Sequence, residues 1–241
     1  MDPSPVTQPL HIVVLTGAGI SADSGVDTFR DQNGVWQKND PMKVATPEGF
    51  AEDPERVHAF YNARRAQLPS VQPNAAHVAL AELEAALAQK GGSLTLVTQN
   101  VDDLHQRAGS KNILPIHGLL QKAECYACGH VAEWTGDLST ETPCPACGAN
   151  AMRPYIVWFG EIPRHFDEVE DRMMEADLFV AVGTSGAVYP AAGLVGLAAR
   201  RGIPRVELNL DPSDNADLFT DRRYGKASDV VPAWAADILS V

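Results

Sequence analysis

The chain has 241 residues, 45% of them hydrophobic, which is enough to bury one large core or a main domain with a smaller insert. Its 31 acidic and 19 basic residues give a net charge of −12, which argues against a general nucleic-acid-binding surface. No apolar run reaches the roughly 18 residues that a membrane span needs, and the amino terminus has no secretory-signal pattern. We therefore expect a cytoplasmic protein without nucleic-acid or membrane partners.

The first predicted element is an apolar strand that leads into a glycine turn. Residues 12–15 form the strand, Gly17 and Gly19 follow it, and a helix is expected to begin within 20–22. Glycines at such a turn let the backbone approach a ligand closely, and the start of a helix offers unpaired N–H groups to a phosphate. The G-x-G-x-x-A spacing matches the dinucleotide-binding fingerprint, although ordinary strand–turn–helix packing can produce the same pattern.

Helical and strand-like segments alternate along the rest of the chain, with one cysteine-containing interruption. The spacing of apolar residues predicts helices over 54–68, 73–89, 166–176, 191–201 and 227–239, and strands over 94–98, 113–116, 155–159, 178–182 and 205–210. This alternation predicts a parallel sheet with both faces covered, in which ligands bind beyond the carboxyl ends of the strands. The residues that follow predicted strands, and can therefore line one crevice, are those at 17–22, 99–102, 117, 183–185 and 209.

The interruption contains four cysteines in two C-x-x-C pairs. Cys125 and Cys128 form the first pair, Cys144 and Cys147 form the second, and a glycine follows each pair. Four thiolates at this spacing satisfy tetrahedral Zn²⁺ and match the zinc-ribbon pattern, although a Cys₄ site can also hold iron. Because four protein ligands leave no open coordination position, we expect one structural zinc per chain rather than a disulfide framework.

Taken together, the motifs of this sequence resemble one family, the sirtuins, which are NAD-dependent protein lysine deacylases. They occur in the family's order and cover nearly the whole chain. The matching segments are GAGISADSGVDTFR (17–30), PNAAHVAL (73–80), TQNVDDLHQRAG (98–109), IHG (116–118), the two C-x-x-C pairs, VWFGE (157–161), VGTS (182–185) and LNLDPS (208–213).

The resemblance implies an α/β fold made of a Rossmann-type parallel sheet domain and a small domain. The sheet domain is expected to be discontinuous and to comprise 1–30, 73–119 and 154–241. The small domain is expected to combine a cofactor loop and helical insert (31–72) with a zinc ribbon (120–153). NAD is expected to lie in the cleft between the two domains, and the chain is expected to be a monomer.

The resemblance also assigns residues to NAD. The glycine turn is expected to hold the pyrophosphate, the loop after it to guard the nicotinamide ribose, and the ends of the later strands to contact the ribose, the phosphate and the adenosine. The expected cofactor-binding residues are Gly17, Ala18, Gly19, Ile20, Ser21, Ala22, Phe29, Arg30, Trp36, Gln99, Asn100, Val101, Asp102, Gly183, Thr184, Ser185, Asn209, Leu210, Asp211 and Ala227.

The reaction implied by the resemblance is glycosidic and involves no hydride transfer. The acyl oxygen of a modified lysine attacks the nicotinamide ribose, nicotinamide leaves, and the acyl group is released as O-acyl-ADP-ribose. His117 is expected to be the general base on a ribose hydroxyl, which suits an imidazole because its ordinary pKa lies near neutral pH. Acylated lysines of proteins are the expected substrates, with the peptide added as a strand between 159–161 and 186–188 and with Val157 and Phe159 beside the lysine stem.

One segment indicates which acyl group is removed. Tyr61 and Arg64 are three positions apart on a predicted helix and are therefore neighbours on one face. The surrounding sequence, FYNARRAQL, resembles the class III, desuccinylase- and demalonylase-type bacterial sirtuins, in which a Tyr and an Arg bind the distal carboxylate of the acyl group. A guanidinium can bind a carboxylate through two hydrogen bonds, and a Tyr hydroxyl can add a third.

Several alternatives remain open from the sequence. The same site can serve protein mono-ADP-ribosyl transfer, or a deacetylase without preference for carboxyl-acyl groups, in which case Tyr61 packs in the core and Arg64 is solvated. A Rossmann dehydrogenase shares the glycine turn but has no need of the motifs at 99–102 and 116–118. A non-catalytic zinc-ribbon binding module is the remaining alternative.

Overall fold

A computed structural model of the chain describes residues 9–28 and 34–240. Within these residues, six strands form one parallel sheet and three form a separate antiparallel sheet. The strands are β1 (His11–Thr16), β2 (Ser93–Thr98), β3 (Ile113–Pro115), β4 (Gly118–Cys125), β5 (Val131–Glu133), β6 (Met152–Ile156), β7 (Leu178–Val182), β8 (Arg205–Asn209) and β9 (Asp221–Tyr224).

The parallel sheet has the strand order β3-β2-β1-β7-β8-β9. β1 lies at its centre, where Val14 is in register with Leu96 of β2 and with Val180 of β7. All three side chains are fully buried, which is the pattern of a parallel strand covered on both faces. Because these strands run the same way, the segments that follow them emerge at one edge of the sheet.

Nine α-helices lie within the described residues, and several of them cover the parallel sheet. They are α1 (Val35–Lys38), α2 (Pro41–Val44), α3 (Pro47–Glu52), α4 (Pro54–Gln67), α5 (Ala75–Gln89), α6 (Leu104–Ala108), α7 (Phe166–Glu175), α8 (Leu194–Arg200) and α9 (Ala227–Leu239). Leu83 of α5 and Trp234 of α9 belong to the core cluster on one face of the sheet, and Met173 of α7 and Val195 of α8 belong to the cluster on the other.

The start of α5 shows how the sequence sets a helix boundary. The Asn74 side chain accepts a hydrogen bond from the Ala76 N–H at 2.9 Å, and the His77 ring accepts one from the Asn74 N–H at 3.3 Å. This reciprocal pair is a capping box, which satisfies backbone donors that the first helical turn leaves unpaired. It also fixes the position of the His77 ring in the first turn of α5.

The antiparallel sheet has the order β5-β4-β6, and the four cysteines lie at the end of β4 and in the loops that follow β4 and β5. Its core is small: Cys125 and Cys144 are themselves buried members of the cluster, together with Leu138 and Met152. α4 packs beside this sheet, where Tyr61 joins Leu120, Ile156 and Trp158 in a separate cluster.

The structure differs from the sequence expectations at several elements. The strand predicted over 155–159 is β6, which ends at Ile156, because the next amides bond to loop carbonyls, Val157 to His117 and Phe159 to Ala45. The glycine turn leads into a 3₁₀ helix, Ala18–Ser24, and the helix predicted over 191–201 is a short 3₁₀ turn followed by α8. Among the described residues, no helix is both long and apolar enough to cross a membrane.

Candidate active site

A cavity of about 530 Å³ lies at the carboxyl ends of β1, β2, β7 and β8, a size that is typical of ligand pockets. It brings together most of the residues that the sequence assigned to the site. The assigned residues that line it are Gly17, Ala18, Gly19, Ala22, Trp36, Tyr61, Arg64, Gln99, Asn100, Val101, His117, Val157, Phe159, Gly183, Thr184, Ser185, Asn209, Leu210, Asp211 and Ala227. Phe29 and Arg30 lie outside the described residues.

The glycine turn packs directly on the backbone at the end of β7. The Gly19 amide donates to the Gly183 carbonyl at 2.8 Å, and a Cβ added at Gly19 would lie 2.7 Å from the Gly183 Cα. Gly183 itself has a φ of +59°, which side chains rarely adopt, and an added Cβ there would lie 2.4 Å from the Ile20 nitrogen. Backbone packing therefore requires glycine at both positions, and it leaves this wall of the cavity without side chains, which suits close approach of a pyrophosphate.

Polar side chains also link the strand ends that line the cavity. Gln99 donates its side-chain N–H to the Thr184 hydroxyl at 3.0 Å, and Asn209 donates to the Thr184 carbonyl at 2.9 Å. Lys226 also lines the cavity and adds a cation. Amide, hydroxyl and ammonium groups are the donor set that a nucleotide's phosphates and riboses need, so these residues fit NAD.

His117 lines the cavity just after β3. Its Nδ1 lies 3.0 Å from the Gln99 carbonyl, and because a carbonyl only accepts, Nδ1 carries the proton of the neutral ring and Nε2 is left as an acceptor. Burial lowers the pKa of His117, and the bond to Gln99 offsets only part of that effect. The imidazole is therefore neutral at neutral pH, the state that a general base requires.

Behind the cavity, Ser21 is the centre of a buried hydrogen-bond network. Its hydroxyl donates to the Asp102 carboxylate at 3.0 Å and accepts from the Asn100 side chain at 3.1 Å. The His77 Nε2 lies 3.4 Å from the same hydroxyl. This network ties the segment after β2 to the glycine turn.

Three assigned residues are not among the described residues that line the cavity. The Ile20 side chain is fully buried in the sheet core, whereas Ser21 and Asp102 belong to the network behind the cavity wall. Burial raises the pKa of Asp102 despite hydrogen bonds from the Leu104 amide and Ser21. Ser21 therefore holds the Asn100 side chain, and Asp102 in turn holds Ser21.

Another part of the cavity is aromatic and carries the Arg64 guanidinium. Tyr61 and Arg64 of α4 both line it, and the Arg64 guanidinium carbon lies 4.9 Å from the centre of the Phe60 ring. Trp36 stacks on Phe60 with 6.3 Å between ring centres and lies 6.2 Å from the Phe159 ring. Apolar walls therefore lead to a site where a Tyr hydroxyl and a cation are neighbours.

The sequence analysis missed an ion-pair network that holds the loop after β6. Arg153 of β6 makes two hydrogen bonds to Glu161, at 2.7 and 2.9 Å, and lies 3.3 Å from Glu124 of β4. Glu124 also accepts from Arg164 at 2.7 Å. Burial raises the pKa of Glu161, but the bonds from Arg153 and from the Trp158 amide outweigh it and hold the pKa below its ordinary value. Glu161 is the last residue of the VWFGE motif (157–161), so the sequence did single out this acidic residue, although not its partners.

The four cysteines have the geometry of a metal site. Their sulfur atoms all lie within 4.8 Å of one another, and two of the sulfur pairs are separated by 3.8 Å. Tetrahedral zinc with Zn–S bonds of about 2.3 Å requires sulfurs about 3.8 Å apart. The residues therefore fit one structural zinc, and none of the four is among the described residues that line the cavity.

This chain is similar to known proteins in both sequence and structure. A model of the Sir2 family matches residues 17–190. An NAD-dependent protein deacylase of Caulobacter vibrioides is 53% identical over 232 residues, which cover 96% of this chain and 98% of the relative. A solved Sir2 homologue in complex with NAD has a TM-score of 0.87 and 36% identity, covering 98% of this chain and 91% of its own. A Sir2 structure with a deacetylated p53 peptide and 3′-O-acetyl ADP-ribose has a TM-score of 0.81 and 31% identity, covering 98% of this chain and 94% of its own.

Proposed function

The chain belongs to the Sir2 family, and we propose that this NAD-dependent protein lysine deacylase removes carboxyl-acyl groups, such as succinyl and malonyl, as well as acetyl groups. Its substrates are acylated lysine side chains of proteins, and it carries one structural zinc in addition to using NAD. Bound NAD supplies an ADP-ribosyl group, which accepts the acyl group once nicotinamide has left.

Within this reaction His117 is the general base. Its neutral ring presents Nε2 as the acceptor, because Nδ1 is engaged by the Gln99 carbonyl. The ring can therefore take a proton from a ribose hydroxyl at neutral pH, a contribution typically worth 10²–10⁴ in rate. Gln99 in turn donates to Thr184, so the segment after β2 and the segment after β7 are held together around the ribose.

The acylated lysine enters beside the loop after β6. Val157 and Phe159 line the cavity and are the apolar groups beside the lysine stem, and Val188 lines the same cavity. We place the substrate peptide between 159–161 and 186–188, as a strand added to both segments. Phe159 is 42% exposed, which gives the peptide an apolar surface to cover.

The carboxyl-acyl preference rests on one observation: Tyr61 and Arg64 line the same cavity as His117. Burial raises the pKa of Tyr61, so its hydroxyl stays protonated and can donate. Burial lowers the pKa of Arg64, while Tyr61 and Asp27 act in the opposite direction, and a guanidinium remains charged at neutral pH. A hydroxyl donor and a cation at the end of an apolar channel match the distal carboxylate of a succinyl or malonyl group.

The test is NAD-dependent turnover of acetyl- and succinyl-lysine peptides of one sequence. The wild-type enzyme is expected to turn over both, with release of nicotinamide and of the O-acyl product. Arg64→Met is expected to lower kcat/KM on the succinyl peptide by about 10- to 100-fold, since a hydrogen bond to a charged group is typically worth 1.5–3 kcal/mol, and to lower kcat/KM on the acetyl peptide far less.

Two controls make this measurement decisive. Arg56→Met removes a guanidinium from the same helix at an exposed position paired with Asp53, and is expected to leave the ratio of the two activities unchanged. His117→Ala is expected to abolish turnover of both peptides. Equal losses on both substrates in Arg64→Met, or a wild-type enzyme without succinyl turnover, would contradict the carboxyl-acyl preference.

A further inference from the structure

Trp158 lines the acyl end of the cavity and touches the Tyr61 hydroxyl. Its indole Nε1 donates to the Tyr61 Oη at 3.1 Å. The two side chains are 2% and 4% exposed, so this bond is shielded from water. An indole N–H can only donate, and therefore the Tyr61 oxygen is the acceptor in this bond. The phenolic proton is left to point to a different partner.

The indole is itself held in one place from several sides. The Arg153 guanidinium carbon lies 3.6 Å from the centre of the Trp158 ring, and the Phe50 ring lies 5.1 Å away on the same cluster. The Trp158 amide donates to Glu161 at 2.8 Å, and Glu161 receives two bonds from Arg153. The donor that faces Tyr61 therefore cannot turn away without losing the indole's contacts with the Arg153 guanidinium and the Phe50 ring.

We propose that Trp158 is a specificity-determining positioning residue, which orients the Tyr61 hydroxyl so that its proton is directed to the distal carboxylate of a carboxyl-acyl lysine. This inference rests on the proposed function and goes beyond it, since it assigns the orientation of Tyr61 to a residue that need not touch the acyl group. Without the indole N–H, the Tyr61 hydroxyl can rotate, and its oxygen loses its buried donor. An acetyl group has no carboxylate and makes no use of the phenolic proton.

Trp158→Phe is the first variant to test, because it keeps an aromatic ring beneath Arg153 and removes only the N–H and part of the indole. KM and kcat are measured on acetyl- and succinyl-lysine peptides of one sequence. We expect the KM for the succinyl peptide to rise about 5- to 20-fold, as is typical when a buried hydrogen-bond partner is lost. The KM for the acetyl peptide and both kcat values are expected to change several-fold less.

Double variants show whether the effect passes through Tyr61. In a Tyr61→Phe background there is no hydroxyl to orient, so adding Trp158→Phe is expected to leave the succinyl-to-acetyl KM ratio unchanged. Trp134→Phe is the matched control, because that indole donates to the Asp137 carbonyl, away from the cavity. It is expected to leave the ratio at the wild-type value.

The outcomes separate this inference from the function on which it rests. An equal rise of both KM values, no change in the succinyl KM, or an undiminished effect in the Tyr61→Phe background would overturn the role of Trp158 alone. A wild-type enzyme without succinyl turnover would overturn both. If Trp158→Phe does not fold, replacing Trp158 by benzothienylalanine, which has the shape of tryptophan without the N–H, gives the same test with the same expected and contrary results.

Discussion

The two ends of the cavity are built from different kinds of group. The cofactor half, which we define as Gly17, Gly19, Gln99, Gly183 and Asn209, consists of backbone and short polar side chains at the edge of the parallel sheet. The acyl half, defined as Tyr61, Arg64, Trp158 and Phe159, consists of long side chains from α4 and from the loop after β6.

This difference separates what each half can control. Strand ends fix the cofactor half, so a change there alters the use of NAD whatever acyl group is present. Side-chain partners fix the acyl half, so under the proposed function we expect a change there to alter the ranking of acyl groups while NAD still binds. The acyl half also depends on the antiparallel sheet, because Arg153 of β6 and Glu124 of β4 belong to the network that holds Glu161.

The largest expected effect comes from removing the metal, which breaks the acyl half and spares the cofactor half. The antiparallel sheet has a small core of which Cys125 and Cys144 are buried members, so it lacks a substitute for the metal. We expect about one zinc per chain by metal analysis, and turnover of every acyl peptide at background after chelation. Limited proteolysis should then cut the antiparallel sheet before the parallel one.

Restoring zinc is the control, and recovery of turnover would show that chelation did not damage the rest of the chain. The contrary result is metal-free protein with undiminished stability and turnover. That outcome would mean that apolar packing alone holds β4 and β6, and it would remove the dependence of the acyl half on the metal.

A smaller effect, confined to the cofactor half, is expected from Gly19→Ala. The added Cβ would lie 2.7 Å from the Gly183 Cα and 2.9 Å from its carbonyl oxygen, so two backbone segments must separate. Overpacking of this kind typically costs 1–3 kcal/mol of folding free energy. Because the glycine turn relieves the clash by moving out of the position proposed to bind the pyrophosphate, we expect a cost of that size in NAD binding and a rise in the KM for NAD of roughly 5- to 100-fold by steady-state kinetics. The rise should be the same with acetyl and succinyl peptides.

Gly136→Ala is the matched control, because an added Cβ there meets nothing within 4 Å. A change in the acyl ranking of Gly19→Ala, with the KM for NAD unaltered, would show that the two halves are not separable in the way proposed.

The cofactor half was largely predictable from the sequence, and the reason is topological. Alternating strands and helices imply parallel strands, and parallel strands end at one edge, so residues after β1, β2, β7 and β8 had to meet. The spacing of the cysteines likewise indicated a metal site before any coordinates. What the motif could not show is that Gly19 and Gly183 are required by their contact with each other.

The acyl half was less predictable because it depends on contacts between distant segments. Trp158 and Tyr61 are 97 positions apart, and no periodicity indicates that their side chains bond. The predicted strand over 155–159 would have alternated its side chains across a sheet, whereas β6 ends at Ile156 and the following loop aims Trp158 at α4. β9 was also missed, since its sequence, DRRY, carries none of the apolar pattern of the central strands.

The smallest expected effect is in the pH profile, and it tests the role proposed for His117 as the general base. Burial lowers the pKa of His117, and the ring must be neutral to accept a proton. For an imidazole with the ordinary pKa of about 6.5, the fraction in the neutral form falls roughly threefold between pH 7 and pH 6. With the pKa lowered, kcat/KM should fall less than that over this interval, equally for acetyl and succinyl peptides.

Stability must be followed over the same pH range, because other buried histidines act in the same direction. Burial lowers the pKa of His77 to about 4 and that of His105 well below its ordinary value, so both are neutral when folded. Unfolded histidines take up protons near pH 6.5, and the free energy of unfolding therefore falls as the pH drops below that value. The pH profile of kcat/KM is read only where unfolding curves show a fully folded enzyme. In that range, an acid limb of kcat/KM with its midpoint above pH 6.5 would contradict a lowered pKa of His117. A limb that differs between the two peptides would place the titrating group in the acyl half instead.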